Sequence, residues 1–220
     1  MAEYKLVDAE KLDADLTAVA DAIREKTGST QQLAFPEGFA SAVAGITTQP
    51  ESNPFDLRIN GSLSEYSSDV PTKVSTYSFS DCANLTRVEL PNVKNVETYG
   101  FARCPLLAEV SLPAAVDLAL NAFLSCTALQ KVDFPSMASI KGSAFSKCSM
   151  LDTVILRSEN VCSLVNANAF NATPIASGTG YIYVPSALVN SYKVATNWST
   201  YADRIRAIED YSDITGGAAV

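Results

Sequence analysis

The chain has 220 residues at 23.4 kDa, 47% hydrophobic and 18% charged, enough to bury the core of one domain with a small appendage. Sixteen Lys and Arg against 24 Asp and Glu leave a net charge of −8, which repels phosphate backbones and anionic lipid, so neither nucleic acid nor a membrane surface is an expected partner. Histidine is absent, which excludes Ser-His-Asp and Cys-His catalysis, a His general base and His-ligated metals together.

The opening MAEYKLVDAEKLDADL lacks a basic start followed by an apolar core, so no signal peptide is expected. Residues 1–48 are read as a helical attachment or oligomerisation segment. Leu12, Leu16, Val19 and Ile23 recur at helical spacing and predict an amphipathic helix ending at Gly28. Phe35, Phe39, Val43 and Ile46 recur three or four apart and predict a second, Ala-rich helix that starts near Pro36. Two such short helices cannot bury enough surface to fold alone, so their stripes must dock. The dock is the rest of the chain, further copies in a homo-oligomer, or another protein. Residues 49–56, within TTQPESNPFD, are polar and contain proline, which predicts a linker and favours docking away from the rest of the chain.

Residues 57–211 are organised by a period. Cys82, Cys104, Cys126 and Cys148 are each 22 residues apart. Phe79, Phe101, Phe123 and Phe145 stand three before each Cys, and Leu85, Leu107, Leu129 and Leu151 three after. Val88, Val110, Val132 and Val154 come next, then Leu90, Leu112, Phe134 and Leu156, with Pro91, Pro113 and Pro135 after them in the first three copies. A further aliphatic stands five before each Phe: Val74, Val96, Leu118, Ile140 and Val165. Cys162 belongs to another series, eight before Phe170, where Val93, Ala115 and Met137 precede their own Phe.

Spacing translates into geometry. Phe, Cys and Leu three apart share one face of a short helical or 3₁₀ turn. The alternating V-x-L is a short strand with Val and Leu inward, and Pro ends it because it has no N–H for a ladder. Units this short bury their apolar side only by stacking, each strand parallel to its predecessor at ~4.8 Å. The Cys column is then a set of free, reduced, buried thiols acting as small hydrophobes. A zinc site would need close pairs, and the nearest two here are Cys148 and Cys162. No cofactor is expected.

The ends are set by the need for caps. Leu57–Ser68, with a hairpin-type Asn60-Gly61, is the expected front cap. Phe145 to Phe170 is three residues longer than a repeat, and Thr173 stands where a Cys would. Residues 174–180 read as a loop. Ile182, Val184 and Pro185 replay the strand, and Ser186 is the expected N-cap of a helix bearing Leu188, Tyr192 and Ala195 on one face. Trp198, Tyr201, Ile205 and Ile208 continue an apolar set able to fold back over the last rung, and residues 212–220 are expected to be a disordered tail.

The consensus F-x-x-C-x-x-L-x-x-V-x-L-P resembles the BspA-like leucine-rich repeats of bacteria and their phages. The resemblance implies an α/β fold: a right-handed leucine-rich-repeat solenoid of parallel strands and short helical or 3₁₀ turns, with a C-terminal helical cap. It implies no catalytic residues. YIYVPSALVNSYKVATNWSTYADRIRAI also resembles the segment that closes such arrays in bacterial relatives. LTAVADAIREKTGSTQQLAFPEGFASAVAGI resembles an N-terminal segment of tail- and baseplate-associated proteins of phages and prophages.

Outward strand positions are where a stack of coils meets partners. Arg87, Glu109 and Lys131 form one row, continued by Thr153 and Tyr181, and Glu89, Ser111, Asp133, Ile155 and Tyr183 form the next. The rows read as a mixed polar recognition face turning aromatic toward Ile155, Tyr181 and Tyr183, or as a register device partly covered by the cap. Asn60, Asn84, Asn171 and Asn197 match a glycosylation pattern, and Asn84 is more simply a turn residue. Taken together these readings predict a non-enzymatic phage or prophage tail or baseplate protein. It would be located in the virion, or in the bacterial cytoplasm before assembly, and would bind particle proteins or a host-surface protein or glycan. The alternative is a bacterial cell-surface adhesin. A carbohydrate-active enzyme built on Asp133 and Glu89 is the third reading.

Overall fold

The computed structural model describes residues 63–215. The attachment stripes of residues 1–48, the linker and the front cap up to residue 62 lie outside the described residues. Each repeat is one coil of a solenoid. Its first straight segment forms β1 (Glu65–Ser67), β3 (Arg87–Glu89), β5 (Glu109–Ser111), β7 (Lys131–Phe134), β9 (Thr153–Leu156) and β11 (Tyr181–Val184). Its second forms the two-residue strands β2 (Lys73–Val74), β4 (Asn95–Val96), β6 (Asp117–Leu118), β8 (Ser139–Ile140) and β10 (Ser163–Leu164). All pairings are parallel and join equivalent residues, as in Val88↔Val110, Val132↔Val154 and Val96↔Leu118. The inward Val and Leu of the first segment and the aliphatics of the second share one core, as the alternation requires.

The third side of each coil is the Phe–Cys turn, and equivalent side chains lie over one another there. Phe79, Phe101, Phe123, Phe145 and Phe170 form a column with ring centroids 5.0, 5.1, 5.4 and 5.6 Å apart, each pair within 16° of parallel. Tyr66 closes one end, and Trp198 and Tyr201 the other. The thiols form a second column. Cys104, Cys126 and Cys148 each donate S–H to the carbonyl of the Phe 25 residues earlier, at 2.9, 3.0 and 3.0 Å. All five cysteines are buried and free. Thr173 occupies the next place in that column, and its hydroxyl turns instead to the carbonyl of Phe170 in its own coil, 2.7 Å away.

The turn backbone alternates. The N–H groups of Tyr77, Phe79 and Asp81 donate to the next coil, at Thr98, Gly100 and Ala102, whereas those of Ser78, Ser80 and Cys82 donate within their own turn. Reversing every second peptide in this way puts the residues two before the first four Phe of the column, and two after all five, at positive φ. They are Tyr77, Tyr99, Asn121 and Ser143 before, and Asp81, Arg103, Ser125, Lys147 and Ala172 after, all with φ of 56–63°. Left-handed backbone costs an ordinary L-residue ~1–2 kcal/mol, and no glycine occupies any of these nine positions.

The first sheet is not continuous. β1, β3 and β5 form one ladder and β7, β9 and β11 another, with no strand pairing between β5 and β7 among the described residues. At this step the bonding shifts upstream into the turn, where the Ala128 N–H and the Thr127 hydroxyl both reach the carbonyl of Pro105 at 3.1 Å. Val110, on the unpaired edge, is only half-buried, while Val88, Val132 and Val154 are fully enclosed. The second sheet runs unbroken through β4, β6 and β8.

The C-terminal end departs from the sequence reading in several places. Leu164, not Val165, pairs in register with Ile140; Leu164 is 3% exposed and Val165 56%. The longer spacing to Phe170 is taken up by a 3₁₀ turn at Ala167–Phe170, capped by the Asn166 side chain. The 174–180 segment contains a helical turn, α1 (Pro174–Ser177), N-capped by Thr173 and ended by Gly178 at φ 96°. Ser186 is not an N-cap: it opens a 3₁₀ turn (Ser186–Leu188), and its backbone N–H donates to the Glu209 carboxylate at 3.0 Å. The helix α2 (Val189–Val194) and a 3₁₀ segment (Trp198–Arg204) then close the stack. Cys162 anchors them, its N–H accepted by the Tyr192 hydroxyl at 2.8 Å and its carbonyl accepting from Trp198 Nε1 at 2.6 Å. Ile205–Ala207 is a further strand, β12, paired with β11. Residues 212–215, assigned to the tail from sequence, form a last helical turn, α3 (Ser212–Thr215).

Candidate functional site

The outward face of the first sheet divides into two halves. On β3 and β5, Arg87 sits in register beside Glu109 and forms ion pairs with Glu89 and Glu109 at 3.3 and 3.4 Å, all three side chains about half exposed. Pairs this exposed are screened and contribute roughly 0.2–1 kcal/mol each. Glu65, Ser67 and Ser111 are exposed beside them. This half is a solvated, mainly acidic strip.

The other half is occupied by the chain itself. Ile155 and Tyr183 are buried, covered by Ile208, with Tyr181 and Tyr211 packed around them. Arg206 of β12 lies with its guanidinium 3.3 Å from the Tyr181 ring centroid and 4.9 Å from that of Tyr211, a cation–π sandwich. Tyr211 meets Tyr183 edge-on at 5.4 Å. Lys131, expected to continue the charge row, donates instead to the carbonyl of Ile214 in α3 at 2.7 Å. Of the residues named from sequence, Arg87, Glu89 and Glu109 therefore remain together at the surface. Lys131 and Tyr181 are engaged by the C-terminal segment, and Ile155 and Tyr183 are withdrawn beneath it. Ile208, expected over the last rung, covers the outer face instead.

Asp133 and Glu89 do not form an acid–base pair. Asp133 is held bidentately by Arg157 at 2.7 and 2.8 Å, and that hydrogen bonding raises the Arg157 pKa further. It stands on β7, two rungs from Glu89, with the unpaired step between them. The shallow depression beside Ser149, Thr173 and Pro174 is lined by neither carboxylate. Among the described residues, no group of His, Cys, Asp or Glu is arranged to hold a metal ion, and no helix is long and apolar enough to cross a membrane. The thiols are unsuited to nucleophilic work. Burial pushes Cys126 well above the ordinary thiol range and Cys162 up to about 12.

A surface not foreseen from sequence lies on the turn side. Tyr77 and Tyr99 stack outside the solenoid, centroids 5.0 Å apart and planes within 6°. Arg103 lies over Tyr99 at 5.9 Å and binds Asp81 through Nε and Nη2 at 2.5 and 2.7 Å, and this pairing raises its pKa. Glu97 accepts from Lys73 at 3.0 Å and from the Thr76 N–H at 3.0 Å, bonds that draw its pKa down. An aromatic pair contributes ~0.5–1.5 kcal/mol beyond its buried area. The only sequence signal for it was two tyrosines 22 residues apart at a position outside the apolar consensus.

A family match agrees with this architecture. Residues 65–180 match the family described as BspA type leucine rich repeat region, in six copies. A crystal structure of a T. pallidum leucine rich repeat protein, TpLRR, is similar at 25% identity with a TM-score of 0.46. That similarity covers 56% of this chain and 58% of the T. pallidum chain. No curated protein sequence matches.

Proposed function

The chain belongs to the BspA-type leucine-rich repeat family, and on that premise we propose that it is a non-enzymatic binding module whose first-sheet face meets a protein partner. The observation that carries this reading is the division of that face. The C-terminal half is sealed by the chain's own Ile208 and Tyr211, whereas Arg87, Glu89 and Glu109 stay exposed on a rigid, in-register ladder. Fixed, solvated charges set partner choice and association rate more than raw affinity, so a basic surface is the complementary partner for this strip.

The setting we propose is a phage or prophage tail or baseplate. Residues 1–48 would attach through Leu12, Leu16, Val19, Ile23, Phe35, Phe39, Val43 and Ile46, a reading supported by the sequence of that segment. A bacterial cell-surface adhesin is the second setting, favoured by the BspA-type match. Immunogold labelling of intact producer cells and of particles released on prophage induction distinguishes them. Label on particles supports the first, label on cells without particles supports the second, and label on neither overturns both. Reversing Glu89 and Glu109 to lysine is expected to abolish capture of the tail or envelope partner while leaving circular dichroism unchanged. Undiminished capture refutes the assignment of the face.

A further inference from the structure

We infer that the step between β5 and β7 is a hinge, at which the first sheet opens and closes about the second sheet and the Phe column. Its motion changes the spacing between the acidic strip on β3 and β5 and the C-terminal segment that covers β9 and β11. The backbone bonds locate it. On the step before, the Ala108 and Glu109 N–H groups donate to the Thr86 carbonyl at 2.9 and 3.1 Å, and Leu90 N–H donates to Ser111 at 3.0 Å. On the step after, Asp152 and Thr153 N–H donate to the Gln130 carbonyl at 3.1 and 3.2 Å, and Arg157 N–H donates to Phe134 at 3.1 Å. The equivalent donors between β5 and β7 are the N–H groups of Gln130, Lys131 and Leu112, and the equivalent acceptors are the carbonyls of Ala108 and Asp133. Among the described residues none of these bonds forms.

The side chains give the same answer independently. Glu109 and Lys131 carry opposite charges at equivalent positions, yet Glu109 pairs back with Arg87 and Lys131 reaches forward to the Ile214 carbonyl. Asp133 likewise turns forward, to Arg157. Val110 is half-buried where its equivalents are enclosed. The other two sides of the coil stay joined. β6 pairs with β8, flanked by Ala138 N–H on the Val116 carbonyl at 2.8 Å and Lys141 N–H on that of Leu118 at 2.9 Å. Phe101 stacks on Phe123, and the bonds to Pro105 lie on the turn side. A joint fastened along two sides and open along the third moves about the fastened ones. Closure sets the Gln130 and Lys131 N–H groups on the Ala108 carbonyl and the Lys131 ammonium beside Glu109. Lys131 then leaves Ile214, which couples the hinge to α3.

Residue-resolved amide exchange of the unmodified full chain tests the one-sidedness. Gln130, Lys131 and Leu112 are expected to exchange about tenfold faster than their equivalents Ala108, Glu109 and Leu90. Ala138 and Lys141, across the same step on the second sheet, are expected to exchange as slowly as Val116 and Ala119. Spin labels test the motion, and the five native thiols are buried, so only introduced cysteines take label. Thr86→Cys/Gln130→Cys spans two steps including the hinge, and Ser64→Cys/Ala108→Cys spans two paired steps. Dipolar broadening in electron paramagnetic resonance is expected to give a wider distance distribution for the first pair than for the second. Equal protection on both sheets, or equally narrow distributions, overturns the inference. Fast exchange of Ala138 and Lys141 as well overturns it too, because the whole step would then be loose and have no axis.

Discussion

Replacing Phe123 by alanine removes a ring that is fully enclosed and stacked between Phe101 and Phe145 at 5.1 and 5.4 Å. Truncating a buried Phe costs ~3–5 kcal/mol, and the loss of two ring contacts puts this site at the upper end of that range, so a loss of roughly 5 kcal/mol is expected. The position matters as much as the size. Phe123 bridges the step at which β5 and β7 are unpaired, so the column, the Cys126-to-Phe101 thiol bond and the β6–β8 pairing carry the junction together with the turn bonds between coils, those to Pro105 among them. In a stack where each coil touches only its neighbours, weakening one junction uncouples the two sides. Trp198 is the only tryptophan and packs on Phe170 at the far end, so its emission reports the C-terminal side alone. In urea the parent protein should show one transition by circular dichroism and by fluorescence. Phe123→Ala should show circular dichroism falling at lower urea than the fluorescence change. Phe123→Leu, which keeps most of the volume but not the ring contacts, should lose about 1–3 kcal/mol. Coincident transitions in Phe123→Ala, or a loss below about 1 kcal/mol, would refute the account of the junction.

The thiols should make the fold alkali-sensitive. Burial raises Cys126 far above its unfolded value of ~8.5 and holds Cys162 at about 12, and Cys104 is raised first by its hydrogen-bonded neighbour Cys126. Stability is therefore complete below pH ~8.5 and falls as pH rises toward the folded values, by about 1.4 kcal/mol per pH unit for each such thiol. Urea midpoints measured between pH 7 and 10 check this, and a flat profile counts against it. Thiol reagent should find five reactive groups in denatured protein and almost none in native protein. Ser125→Gly, at φ 61°, should raise stability by about 0.5–1 kcal/mol. Gly100→Ala should lower it, since a Cβ there would stand 2.8 Å from Val96 Cγ1 and 2.9 Å from Val74 Cγ1; the order of the two melting temperatures decides. Tyr192→Phe strands the buried Cys162 N–H and should cost ~1–3 kcal/mol by the same denaturation assay.

The 22-residue period determined the coil, its inward residues and the thiol column, because in a stacked chain each side chain's neighbours are its own equivalents one period away. A contact map is then readable from spacing alone. Where the period lapses, that reading stops. β12 has no Phe, no Cys and no proline to announce it, and it is a strand because β11 offers its Ile205–Ala207 backbone a partner. Only register distinguishes Leu164 from Val165, since both are aliphatic and one residue apart. Ile155 and Tyr183 looked outward by alternation and are outward, yet a segment about 25–60 residues away in sequence returns to bury them. The backbone of the tyrosine pair was hidden for another reason. Its positive φ is imposed by alternating hydrogen bonds between coils, and residue identity does not encode it.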